Sequence, residues 1–281
     1  MMRRFGLNRK ILLWAAFYLV LSAMALIILL PFAWMVSSSF KGSETIRTIP
    51  IRWIPEQPTL EGYERVFNMH SFSFVRATFN SLFLAVACTI VQVLSASMAA
   101  FAFTKIPFKG SGKLFSVYLA TMMIAGSVTM VPNYIILRVL GLLDSYTGLI
   151  LPSLSNAFGI FLMRQAMMTL NDSYLESAFI DGASLYRIFF SIVLEMVAPT
   201  LATMTLLAFM GSWNNYLWPL IVLTSNDKQT LQVVLGNMNS MYKNNEHVLM
   251  AGAVLTILPI LAVYLLSQRK VDAGIALGGL K

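Results

Sequence analysis

Residues 173–189 read SYLESAFIDGASLYRIF, a polar, helix-prone stretch between two long apolar runs. Ser173 followed by Glu176 fits a capping box, in which the hydroxyl accepts from the N3 amide and the carboxylate reaches back to the cap amide. Asn171, Asp172 and Ser173 all favour helix caps, so a first helix is expected to start there and run through Leu175, Ala178 and Phe179. Asp181-Gly182 interrupts it, since glycine tolerates left-handed dihedrals and costs about 1 kcal/mol inside a helix. GASLYRIFFSIVL restarts an amphipathic segment, with Leu185, Ile188, Phe189 and Ile192 spaced by three or four. Two short helices meeting at a bend along a membrane face are expected. An interfacial linker in which Glu176 only caps accounts for most of this pattern. It does not account for the length, because helix connections commonly take about 2–8 residues.

The surrounding chain is oily. Of 281 residues, 58% are hydrophobic and 11% charged, against about 25% charged in soluble domains. That composition implies an all-α polytopic membrane protein. The net charge of +8 serves orientation in such a chain. No aromatic-interleaved basic face is present, so nucleic acid is not an expected partner. The lone cysteine, Cys88, lies in an apolar run, excludes an intramolecular disulfide and reads as a small packing residue. His70 and His247 have no partners at ligand spacing, so no metal site is expected.

Crossing the hydrocarbon takes about 20 apolar residues. Six runs qualify, at about 11–36, 77–104, 114–137, 145–168, 197–223 and 247–267. The first follows Arg3, Arg4, Arg9 and Lys10, is too long for a signal-peptide core and reads as a retained span. Pro132, Pro152 and Pro259 lie within runs and predict kinks. Basic residues without acids mark the N-terminus and the 105–113 loop (Lys105, Lys109, Lys113). The tail carries Arg269, Lys270 and Lys281 against Asp272. The 37–74 loop balances Lys41, Arg47, Arg52 and Arg65 with Glu44, Glu56, Glu61 and Glu64, and 224–246 balances Lys228 and Lys243 with Asp227 and Glu246. Both termini are therefore expected in the cytoplasm, which puts 169–196 there by parity. The 37–74 loop, with Pro50, Pro55, Pro58, Trp53, Tyr63 and Phe67, reads as ordered: either a cap over helix ends or a docking surface for an extracytoplasmic partner.

Glu176-Ser177-Ala178, three residues, Gly182, nine residues, then Ile192-Val193-Leu194 resembles the EAA loop of binding-protein-dependent ABC importer membrane subunits. The family pattern is E-A-A, three residues, G, nine residues, I-x-L-P. Ser177 departs from the usual Ala, and Glu195 stands where Pro is usual, with Pro199 four residues on as an alternative start for the next span. VPNYIILRVLGLLDSYTGLILP (131–152), SWNNYLWPL (212–220) and the tail AGIALGGLK also resemble segments of the six-span permease of the maltose-type carbohydrate uptake family. The resemblance implies the type I importer permease fold, a single transmembrane domain over 1–281 in the bacterial cytoplasmic membrane, and ATP-driven alternating access for a sugar or related polyol. Implied partners are a second permease subunit in a heterodimer, an ABC ATPase dimer holding ATP and Mg, and an extracytoplasmic solute-binding protein. The loop over about 171–195 becomes the coupling element: Gly182 gives the bend, Ala178 and Ala183 close approach, Glu176 a charge pair with the ATPase, Asp181 a cap for the second helix, and Ile192 and Leu194 complete the motif.

The chain itself is not expected to be an enzyme. KGSGKLF (109–115) lacks a phosphate-loop pattern, with Pro107 where the first Gly belongs and Leu114 where Ser or Thr belongs. Trp213, Asn214, Asn215, Tyr216 and Trp218 form the most unusual intramembrane cluster and read as interfacial anchors or a gate, with sugar contact as the alternative. Gln92 and Ser95 either line the path or bond between helices, and Ser95, Ala96, Ala99 and Ala100 form a small-residue packing face. Alternatives are an importer of another solute, such as glycerol phosphate, or an ion-coupled secondary transporter. The latter usually needs carboxylates within spans, and none lies well inside any run here.

Overall fold

The computed structural model describes residues 2–46, 50–69, 71–242 and 245–278, and side chains between 13 and 266 of these. The basic N-terminus, the charged tail, Arg47, His70 and Lys243 lie outside the described side chains. Every regular element among the described residues is helical. In chain order these are α1 Met2–Ser39, α2 Glu61–Phe67, α3 Phe74–Lys105, α4 Ser111–Ala120, α5 Gly126–Val139, α6 Tyr146–Ile150, α7 Ala157–Met168, α8 Ser173–Ile180, α9 Leu185–Ile188, α10 Leu194–Met196, α11 Ala198–Trp213, α12 Leu217–Val222, α13 Leu231–Met241 and α14 Glu246–Gly278.

Three described helical stretches are long and apolar enough to cross a membrane: Leu13–Ser39, Phe74–Lys105 and Glu246–Leu266. Three bent pairs also qualify, giving up to six crossings: Ser111–Met123 with Gly126–Val139, Tyr146–Leu154 with Ala157–Met168, and Leu185–Met196 with Ala198–Trp213, bent by 102°, 42° and 86°. The bends differ from the proline-based expectation. The sharpest falls at Ile124-Ala125, both extended, and α5 runs through Pro132. Pro152 sits at the start of a 3-10 turn, Leu151–Leu154, before the bend at Ser155-Asn156. α14 continues through Pro259. Neighbouring helices re-satisfy carbonyls freed by proline, so a proline alone need not break a span. The run 197–223 is also not one helix. α11 stops at Trp213, and Asn215 Oδ1 accepts from Trp218 N at 3.4 Å at the start of α12. Short amides compete for backbone hydrogen bonds and favour such interruptions.

The chain divides into two compact units. In the first, Met1–Asn68 with Met238–Leu255, the long loop after α1 is ordered by its own contacts. Lys41 Nζ donates to Arg52 O at 2.6 Å and lies 3.9 Å from the Trp34 ring centroid. Trp53 packs edge-on against Trp34, and Tyr63 meets Phe40 and the Ser39 hydroxyl. Gly62 lies so close to α14 that a Cβ would sit 2.9 Å from His247 O.

In the second unit, Met69–Asn237 with Thr256–Lys281, α3 is the central rod and packs along α7 and α11. Its small-residue face does what the sequence suggests. Ala96 and Ala100 are fully buried, and Ala96 meets Gly159 of α7, beside Met204 of α11. Small side chains permit such close approach where no hydrophobic effect drives helices together. Ser95 Oγ donates across to Leu154 O at 2.9 Å, which resolves that residue as an interhelical bond. The core around Ala96 and Ala100 takes in Ile160, Met163, Met167 and Met204, and extends to Leu175, Ala178, Ile188, Phe189 and Val193 of the polar segment.

Candidate functional site

The polar segment forms a rigid elbow. α8 ends in a Schellman closure: Gly182 has φ +78°, Gly182 N donates to Phe179 O, and Ala183 N donates to Ala178 O, both at 3.0 Å. A side chain would strain that dihedral, which is why glycine stands there. The expected capping box is not formed. Asp172 occupies the cap position, its side chain makes no cap bond, and Ser173 is already helical. The Asp172 carboxylate is held instead by Lys105 Nζ at 2.5 Å, whose ammonium also donates to Leu170 O. Nor does Asp181 cap the second helix. It closes α8, while Ser184 Oγ accepts from Arg187 N at the start of α9. A π-helical turn, Phe189–Val193, leads into α10. Glu195 is exposed, and the chain turns at Val197 into α11 with Pro199 in its first turn. Proline is suited to a first turn, so the exit is built without a proline at 195.

The elbow has two faces. Leu175, Ala178, Ile188, Phe189 and Val193 are buried in the chain's own core, with Ala183, Ile192 and Leu194 packed against it. Ala178 therefore serves internal packing. Opposite stand Glu176, Ser177, Asp181, Gly182 and Arg187, all exposed, with the exposed apolar side chains Tyr174, Phe179, Ile180, Tyr186 and Phe190. Ile180 is 86% and Tyr186 74% exposed. Among the described residues the Glu176 carboxylate has no partner. These exposed apolar side chains lie on the same short segment as the unpartnered Glu176 carboxylate.

A cavity of about 410 Å³ opens among α3, the 3-10 turn, α7 and α11–α12. Gln92, Ser153, Asn156, Ser212, Asn215 and Trp218 supply its polar atoms, and Cys88, Leu149, Pro152, Phe158, Met204 and Ala208 part of its apolar wall. None of its lining side chains is charged. The Gln92 and Ser212 side chains make no hydrogen bond to another described residue. Asn156 uses only its oxygen, accepting from Gly159 N at 2.7 Å. Unmet polar groups within hydrocarbon cost several kcal/mol each, of order 2–7. Their convergence on one concavity is the arrangement of a wetted surface.

Of the residues singled out from sequence as gate, anchor or path, Gln92, Asn215 and Trp218 line the cavity. Trp213 is 2% exposed and stacks on Phe209. Asn214 is exposed at the helix break, outside the cavity lining. Tyr216 lies against Gly236, where a Cβ would meet its ring at 2.7 Å. Asn156, Ser153 and Ser212 were not anticipated. Each is an ordinary polar residue in sequence, and only the bend at Ser155-Asn156 brings the first two beside α3. Among the described residues no cluster of His, Cys, Asp or Glu could hold a metal.

Residues 16–277 match the family described as the binding-protein-dependent transport system inner membrane component. The arabinooligosaccharides transport system permease protein AraQ of Halalkalibacterium halodurans is 34% identical over 259 residues, 92% of each chain. The lactose transport system permease protein LacG of Rhizobium radiobacter is 31% identical over 272 residues, 94% of this chain and 95% of that one. A chain from the crystal structure of a bacterial ABC transporter involved in the import of the acidic polysaccharide alginate superposes with a TM-score of 0.80 at 26% identity, covering 91% of this chain and 95% of that one. With its helices, bent pairs and elbow, this chain belongs to the family of inner-membrane components of binding-protein-dependent transport systems.

Proposed function

We propose that this chain is a six-span permease subunit, of the maltose type, in an ATP-driven importer of neutral saccharides. The observation that carries the solute class is the 410 Å³ cavity, whose polar groups are all uncharged. Amides and hydroxyls pair with sugar hydroxyls, and Trp218 offers an aromatic face. Relatives named for arabinooligosaccharide and lactose transport agree with this. A glycerol phosphate would enter this wall without a counter-charge, and a buried unpaired charge is strongly unfavourable.

The exposed face of the elbow, with Glu176, Phe179, Ile180, Asp181, Gly182 and Tyr186, docks on a separate ATPase dimer that holds ATP and Mg. Ala178, Ala183, Ile192 and Leu194 tie that face to the core of α3, α7 and α11. ATP favours the closed dimer, and movement of the elbow is passed to the spans as a rigid-body change of access. Both termini lie in the cytoplasm, a second permease completes the pathway, and a solute-binding protein delivers solute from outside. Gln92 and Asn215 line the path, while Trp213, Asn214 and Tyr216 fix the helix break that shapes it. Purification from the native membrane in mild detergent tests the assembly. A second permease and a P-loop ATPase are expected to accompany this chain, and recovery of the chain alone would contradict the proposal.

A further inference from the structure

The cavity has an annex. A pocket of about 30 Å³ shares Cys88, Leu149, Ser212, Asn215 and Trp218 with it and is closed by Ser81, Pro219 and Thr230. Thr230 stands immediately before α13 and is 5% exposed. Threonine there would ordinarily accept a hydrogen bond from the first turn. Here Ser81 Oγ takes the Leu231 amide at 2.7 Å, and Thr230 Oγ1 is buried without a partner. Trp218 Nε1 is also buried without a partner. Thr230 and Trp218, each carrying a buried polar atom without a partner, thus line the same small recess. Buried polar groups are nearly always paired, and each exception calls for an explanation.

We propose that Thr230 and Trp218, with Ser212 and Asn215 at the neck, form a recognition slot for one hydroxyl of the saccharide, so that this chain itself selects solute. The inference rests on the cavity being part of the transport path. The recess has room for a hydroxyl and not for a ring. A ring would lie in the larger cavity beside Gln92 and Asn156 and send one hydroxyl inward. A site built to pair a hydroxyl discriminates strongly against solutes that lack it, because its own polar groups are then left unpaired.

The test uses the assembled importer in proteoliposomes with its binding protein and ATPase, and labelled arabinobiose, xylobiose, cellobiose, lactose and glycerol 3-phosphate as probes. Thr230→Val removes the hydroxyl with little change of shape, and Trp218→Phe removes the indole N–H together with part of the ring. Each is expected to raise KM for the best neutral probe by about threefold to tenfold, the effect of one lost hydrogen bond. Thermal stability of Thr230→Val should be unchanged or higher, because an unpaired buried group has gone. Thr230→Ser should restore the KM. Wild-type KM for both variants, or uptake by the wild type of none of the neutral probes, would overturn the slot. Alkylation of Cys88, the only cysteine of the chain, separates this from failure of the broader reading. A small water-soluble thiol reagent should block uptake by the wild type but not by an importer carrying Cys88→Ser if the cavity is on the path. Blocked uptake with unaffected Thr230 and Trp218 variants would remove the slot alone, and unaffected uptake after complete labelling would remove the path as well.

Discussion

Glu176 shows how one residue changes meaning between sequence and structure. Its spacing from Ser173 suggests a capping box, but Lys105 draws Asp172 into place and the helix begins one residue earlier in function. A reader of sequence has no access to that bond, which joins positions 67 apart. Because the Glu176 carboxylate has no hydrogen-bond or ion-pair partner among the described residues, Glu176→Ala should change thermal stability by less than about 0.5 kcal/mol. It should weaken ATPase association by about 2–5 kcal/mol if the pair is buried. Unchanged association in a binding titration would remove the charge-pair role. Asp144 is the opposite case, a residue wholly committed within the chain. At φ +52°, its carboxylate accepts from the Thr224 and Ser225 amides, the Ser225 hydroxyl and Lys228 Nζ. The Ser225 bonds, hydroxyl first, then the Lys228 and Thr224 bonds hold its pKa well below the usual carboxylate range, against the opposing effect of burial. Its stabilisation is fully present above about pH 4, the unfolded value, and is lost as pH falls through the lower folded value. Asp144→Asn should lower the melting temperature at neutral pH, and the gap to wild type should close in acid.

At the scale of elements, the bend at Gly182 was legible because glycine after a polar cap is a direct statement about backbone dihedrals. The 102° bend at Ile124-Ala125 was not, because neither residue itself breaks a helix and the adjacent Gly126-Ser127 is too short an interruption to split the span on hydropathy. Trp213 misled for a related reason. Composition marks aromatic residues near a span end as interfacial, whereas the break at Asn214 turns this one into the core. Gly182→Pro is incompatible with φ +78° and removes the Gly182 N–H bond to Phe179 O. Uptake should be abolished while membrane insertion, set by the apolar spans, persists. Normal uptake would show that the elbow is not the coupling element. Ala96→Leu should overpack the junction of α3, α7 and α11 and cost about 1–3 kcal/mol, readable as a lower melting temperature in detergent.

For the whole molecule, the all-α membrane class follows from composition and the family from the spacing of a few residues, Glu176, Ala178, Gly182, Ile192 and Leu194. The cavity needed three-dimensional contacts between segments far apart in sequence, so only Gln92, Asn215 and Trp218 among its polar residues were foreseen. In the proposed function, solute movement is driven by ATP on a partner and passed through the elbow. The most direct measurement is accumulation of labelled saccharide in proteoliposomes holding the complete importer, energised by ATP or by an ion gradient alone. Accumulation that requires ATP and is lost in Gly182→Pro is predicted. Accumulation driven by a proton or sodium gradient without ATP would contradict the account and point to a secondary transporter.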